Sequence, residues 1–320
     1  MRISLFVRRL PFLCALAGGL VGCGETSSPA PAKAAARDAA PARDAAPAPV
    51  DDGPAFRRFP DLSSAARQIL AESKPRILGI GEYHVRAGAR PVLSTMERFT
   101  RDLDVLTAGA SDLIVETWVQ AGNCGKKEQT VSRDVETTLE RPPVVENHLL
   151  TMLEQAKKRG ISPHVMTMTC ADYDHLVDAK GAVDYSKMLL LIKSKLAGLA
   201  RFVLDYRDQE GHKKPNEPPG MIVMYGGALH NDEYPFAALE DISYAKDVRA
   251  LVGDGYVELD LYVPEFIEGD ELAKQETWYP RFEKYASTDH VLVFQRGPRS
   301  YLVILRRART GASETPASKR

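Results

Sequence analysis

Two stretches of this 320-residue chain gather side chains that move protons. The first is Gly81-Glu82-Tyr83-His84. The second is Gly226-Gly227-Ala228-Leu229-His230-Asn231-Asp232, and between them Glu116 closes the run Asp112-Leu113-Ile114-Val115-Glu116. Imidazole titrates near neutrality and is the commonest metal ligand. His84 and His230 are therefore candidates to deprotonate water, or to hold a divalent metal that acidifies it. Glu82 and Glu116 are candidates to orient the histidines or to complete a metal's coordination. Tyr83 is a candidate haem ligand or proton donor, and Gly227 and Asp232 are candidate ligand contacts. Each has a plainer alternative: a turn histidine bonded to backbone, a glutamate capping a helix, a packed tyrosine. The chain has no G-x-S-x-G elbow, no Walker loop and no H-E-x-x-H helix. Activated water suits these residues better than a serine nucleophile.

Alternating helices and strands must position them. Residues 62–73 read as a helix and 76–81 as a short apolar strand. Residues 90–106 read as one helix with Val92, Met96, Phe99, Leu103 and Leu106 on one face. Strands follow at 112–116, 163–169, 221–225 and 256–262, with helices at 146–159, 185–206 and 244–251. Asp208 to Pro219 reads as a polar loop, and 290–295 and 300–306 flank Gly297-Pro298 as a hairpin. In 256–262, Glu258, Asp260 and Tyr262 share one face and Val257, Leu259 and Leu261 the other, the pattern of a half-solvated edge strand. The expected fold is α/β: a mostly parallel central sheet, helices on both faces, and a C-terminal β-hairpin. Right-handed crossovers bring the strands' C-terminal ends to one edge, where open α/β folds bind ligands. Glu82, His84, Glu116 and His230 all fall near such ends.

The ordered set Gly81-Glu82-Tyr83-His84, an acid ending the next strand, and Gly227-Ala228-Leu229-His230 resembles a broad superfamily. It includes the ChaN-like haem-binding lipoproteins, the erythromycin esterases and the TraB/TIKI proteins, and the resemblance spans roughly residues 75–265. From the esterase-like members it implies a histidine acting as general base with glutamate help. From the TIKI-like members it implies a divalent metal on the corresponding residues, His84, His230, Glu82 and Glu116. From the ChaN-like members it implies a haem or other tetrapyrrole carrier. A hydrolase of ester or peptide bonds is the leading expectation. A haem-binding uptake lipoprotein, or a non-catalytic binding protein of the cell envelope, are the alternatives.

The N-terminus predicts export. Arg2, Arg8 and Arg9 precede an apolar run, Leu10 to Val21, too short for a permanent span of about 20 residues. Leu20-Val21-Gly22-Cys23 resembles a bacterial lipobox, so residues 1–22 read as a signal peptide and Cys23 as the acylated first residue, held to the membrane by buried methylenes. Gly24 in place of Asp points to the outer membrane. Residues 23–55 read as the lipidated cysteine followed by an Ala/Pro-rich tether, and 309–320 as a disordered tail. Residues 56–308 read as a single domain. Losing Arg2, Arg8 and Arg9 takes the formal charge from −1 to −4, and no basic stripe suggests nucleic acid. The expected partners are a lipid membrane and a small-molecule or peptide ligand. Two cysteines then remain, Cys124 and Cys170. A disulfide is the simplest reading in an oxidising compartment, with free thiols or metal ligation as alternatives.

Overall fold

The computed structural model describes residues 4–5, 55–84, 92–139, 145–209 and 220–308. Cys23, nearly all of the tether, the loop 210–219 and the tail 309–320 lie outside the described residues. Eight strands form one sheet: β1 Ala55–Phe59, β2 Ile77–Glu82, β3 Ala110–Ala121, β4 Ser162–Thr169, β5 Met221–Gly227, β6 Tyr256–Tyr262, β7 Val291–Gly297 and β8 Ser300–Ile304. Their order is β4-β3-β5-β2-β6-β8-β7-β1. The first six run parallel, and β7 turns back against both β8 and β1, making the C-terminal hairpin. The mostly parallel α/β fold expected from the sequence is thus the one observed. Ser4–Leu5 adds a two-residue antiparallel pairing to Thr117–Trp118. It falls within the expected leader and would leave with it.

Strand alternation divides the apolar side chains into two large cores. Leu78, Ile80, Val223, Tyr225, Val257 and Leu259 face α1 (Leu62–Ser73), α2 (Thr95–Arg101), α3 (Leu103–Leu106) and α5 (Val145–Lys158). Ile77, Ile114, Met224 and Tyr256 face α7 (Tyr185–Asp208) and α9 (Ala245–Val252), with α4 (Gly125–Leu139) and α6 (Cys170–Leu176) beside them. A smaller core under α10 (Pro264–Ile267) and α11 (Tyr279–Tyr285) joins Ile267, Trp278 and Phe282 to Leu292, Phe294 and Leu302. The α7 helix shows why such sequences become helices. Met188, Ile192, Leu196, Ala200 and Val203 recur on one buried face, and Asp184 caps the start by accepting from Lys187 N–H. Burying each large aliphatic group contributes about 1.5–3 kcal/mol. No helix among the described residues is long and apolar enough to cross a membrane.

Three readings need correcting. The helix expected at 90–106 begins at Thr95 behind a Ser94/Glu97 capping box and is broken at Asp102, which leaves the helical region with ψ of 17°. The strand expected at 112–116 runs on to Ala121, so Glu116 lies within a strand and not at its end. The strand 256–262 is interior, between β2 and β8, and its acidic face is buried. Helix α4 has no counterpart in the reading above because its sequence is mostly polar, GKKEQTVSRDVETTL; Val131 and Val135 turn inward. Its start is tied to the sheet by a disulfide: Cys124, after β3, and Cys170, the first residue of α6 after β4, are joined with Cα atoms 5.0 Å apart.

Candidate active site

The four central strands β3, β5, β2 and β6 meet side by side, and two glycines make room between them. Gly226 and Gly81 are register partners. A Cβ on Gly226 would lie 2.3 Å from Glu116 Oε2. A Cβ on Gly81 would lie 2.2 Å from Asp260 Oδ1 and 2.7 Å from the Ala228 backbone. Both positions therefore need glycine for space, and that space admits a carboxyl from each flanking strand onto one face of the sheet.

On the opposite face, at the end of β2, stands the first pair. His84 Nδ1 is 2.6 Å from Glu82 Oε1, with Glu82 only 6 % exposed. The Tyr225 hydroxyl donates to the other oxygen, Glu82 Oε2, and its ring stacks on Phe99 at 4.5 Å between centroids. Glu82 is thus fixed from both sides. A neutral His84 that gives its Nδ1 proton to Glu82 carries its lone pair on Nε2, the tautomer a general base requires.

The second pair is more deeply buried. In α8 (Ala228–Asn231), which follows β5 directly, His230 is 1 % exposed and its Nδ1 lies 3.0 Å from Ile242 O. That carbonyl can only accept, so Nδ1 holds the proton and Nε2 faces Glu116 Oε1 at 3.6 Å, too long for a direct hydrogen bond and suited to a bridging donor. Glu116 Oε2 accepts from Gly227 N–H at 2.7 Å. The pairing of β3 with β4 shifts register between Val115 and Trp118, so Glu116 sits at an irregularity of the kind that re-aims side chains. Burial, against the pull of the Ile242 carbonyl and with a smaller push from the nearby His84, holds the His230 imidazole pKa down at about 4. His230 is neutral at physiological pH.

The remaining predicted residues fall elsewhere. Gly227 serves Glu116 through its backbone. The Tyr83 hydroxyl donates to the Asp270 carboxylate, and its ring meets Tyr262 edge-on at 5.4 Å, so both ends of the side chain are engaged by packing. Asp232 lies 3.5 Å from Arg296 and accepts from Tyr234 N–H at 2.8 Å. It joins Glu258 and Asp260 around Arg296, the one member of this cluster that the sequence reading did not single out. Arg296 Nη2 touches Glu258 Oε1 and is 2.9 Å from Asp260 Oδ2, and both acids are fully buried. Burial pushes the Asp260 carboxyl up to about 6 and the Glu258 carboxyl well above the usual carboxylate range, against the pull of Arg296 and with the push of Asp232. The signal available in sequence was the alternation of Glu258 and Asp260 with Val257, Leu259 and Leu261. Solvent and a buried cation explain such a pattern equally well until Arg296 is placed. His164, at the other end of the sheet, is 2.8 Å from Asp112, which also accepts from Arg207.

Among the described residues no group of three His, Cys, Asp or Glu side chains converges as a metal-binding set. His84 pairs with Glu82 through Nδ1, and the His230 Nδ1 proton goes to the Ile242 carbonyl. No protein-family model, no curated protein and no solved structure matches this chain.

Proposed function

We propose that this protein is a membrane-anchored envelope hydrolase that uses activated water at the C-terminal rim of the sheet. The observation that carries this reading is the Tyr225–Glu82–His84 relay at the end of the central strand β2. In the proposed step a water hydrogen-bonded to His84 Nε2 attacks a carbonyl carbon as the imidazole takes its proton. Glu82, held by Tyr225, stabilises the imidazolium that forms, and the proton then passes from Nε2 to the leaving group. His230, kept neutral by burial, and Glu116 supply a second polar pair that can orient the substrate without adding positive charge. Two acceptor-rich pairs suit neutral or cationic esters and amides better than anionic ones. The order of the Gly81–His84 and Gly227–His230 motifs, as in the esterase-like proteins, supports the same reading.

The Cys124–Cys170 bond supports an oxidising compartment, and the lipobox-like Leu20–Cys23 supports attachment through acylated Cys23. The test is a panel of ester and peptide substrates with the wild type, His84→Ala and His84→Gln. A turnover that falls by about 10²–10⁴ in both variants, at unchanged thermal stability, is expected if His84 is the base. Wild-type inertness across the panel, or equal turnover in all three proteins, overturns the reading.

A further inference from the structure

The chain that carries His230 continues over the sheet instead of leaving it. The Asn231 amide donates to Gly79 O at 3.3 Å and to Asp260 Oδ1 at 3.1 Å, and Tyr256 OH donates to Asn231 O at 2.8 Å. Two residues on, Glu233 N–H donates to Glu258 Oε2 at 3.1 Å. The segment from Ala228 to Glu233 is thus strapped across β2 and β6, and two of the atoms that hold it belong to the two buried acids of β6.

Those acids cannot both ionise comfortably. They are two residues apart on one strand face, fully buried, and an oxygen of each lies against the same Arg296 Nη2. Two carboxyl groups drawn so close to one cation in a dry site favour holding a proton between them. The groups around them are Asp232 and Glu233 from the strap, Arg296 from β7, Ser300 from β8, Glu276 ahead of α11, Tyr256 and Tyr262 from β6, and Tyr244 ahead of α9. Among the described residues Arg296 is the one cation against the pair; Arg249 is taken up by Glu233 and Asp254. One guanidinium faces Glu258, Asp260 and Asp232 together.

We propose that Glu258 and Asp260 share a single proton at neutral pH, and that this protonated pair with Arg296 is the clamp that positions the His230 segment. Glu258 and Asp260 are then positioning residues acting through Asn231 and Glu233. Their bearing on catalysis rests on the role proposed for His230; the shared proton stands on the geometry of β6 alone.

Infrared spectroscopy of the full chain in heavy water at neutral pH reads the proton directly. A carboxylic-acid carbonyl band is expected in the wild type and absent in Glu258→Gln and Asp260→Asn, since either change leaves one carboxylate to ionise against Arg296. No acid band in the wild type overturns the shared proton even if neither variant folds, and so does a band unchanged in both. For the clamp, hydrogen exchange over residues 228–236 is expected to quicken about tenfold or more in Asp260→Ala, the loss of one charge-assisted hydrogen bond, with α5 unchanged. Unchanged exchange there overturns the positioning role. Neither readout needs a substrate, so failure of the hydrolase reading would leave both results standing.

Discussion

The His230–Glu116 pair and the Glu258–Asp260–Arg296 cluster lie on the same face of the same sheet, reached from neighbouring residues of α8. Burial acts on both, yet it moves them in opposite directions along the pH axis. Desolvation penalises whichever form carries charge. The imidazole escapes by refusing a proton and the carboxyl escapes by keeping one. His230, at about 4, lies below the ordinary imidazole value, so the unfolded chain binds a proton that the folded chain rejects. Its contribution is fully present above about pH 6.5 and is lost as pH falls through about 4. Asp260, at about 6, lies above the ordinary carboxyl value of 3.8. Its contribution is fully present below that value and is lost as pH rises through about 6. Across one shared window the two slopes offset each other. A buried site can look insensitive to pH because it holds two opposed sensitivities.

The comparison can be broken most severely at Arg296. Arg296→Met leaves three acids around no cation, and a loss of about 3–5 kcal/mol is expected by urea denaturation, smaller in mildly acidic buffer than at neutral pH because the acids can then take up protons. Equal losses at both pH values would show that packing of the arginine stem, and not its charge, holds the cluster. The next effect belongs to the histidine side alone. Reducing Cys124–Cys170 frees the end of β3, the strand that carries Glu116, and opens a loop with a sequence separation of 46. Thermal unfolding with and without reductant is expected to show a loss of about 2–4 kcal/mol. Hydrogen exchange is expected to rise around Ala121 while β6 stays protected.

The two glycines sharpen the contrast at smaller cost. Both Gly81→Ala and Gly226→Ala overpack their sites, at about 1–3 kcal/mol each. Gly81→Ala is expected to cost more, because its Cβ meets the Ala228 backbone as well as Asp260, whereas on Gly226 the contacts are all to the Glu116 side chain. The reverse ranking would mean that Glu116 is the more rigid partner. Smallest at neutral pH, where it vanishes, but most direct, is the change of slope. His230→Gln removes the group that opposes folding as pH falls, so between about pH 6.5 and 4 the variant's melting temperature should rise relative to wild type, by the equivalent of about 3 kcal/mol at most. Parallel melting curves for the two proteins over that window would remove His230 as a source of pH dependence.

Much of this architecture was legible in the sequence, for a physical reason. Runs such as Met221–Tyr225 and Ile77–Ile80 are apolar on both faces, as only a sheet covered on both sides requires, and helices between them force parallel pairing. The placement of Glu82, His84 and His230 near strand ends followed from that pairing. Tyr225 was not legible as a partner of Glu82, because their contact depends on β2 and β5 being neighbours, which sequence order hides. Arg296 was hidden for the same reason. It sits on the one large strand that runs backwards, and only the inserted order β6-β8-β7 brings its side chain to Glu258 and Asp260. Helix α4 escaped because the sequence around Val131 and Val135 is mostly polar.

The position of β1 has a consequence for how the chain reaches this state. It is the first strand of the domain, yet its partner is β7, with Phe59 opposite Val291. During synthesis from the N-terminus β1 must wait, unpaired, until almost the whole domain has been made, and the edge of β6 waits with it for β8. Closure of so distant a contact is slow, and an open strand edge is an invitation to a neighbouring chain. A molecule truncated before the final hairpin would therefore be expected to keep its histidines and lose its solubility.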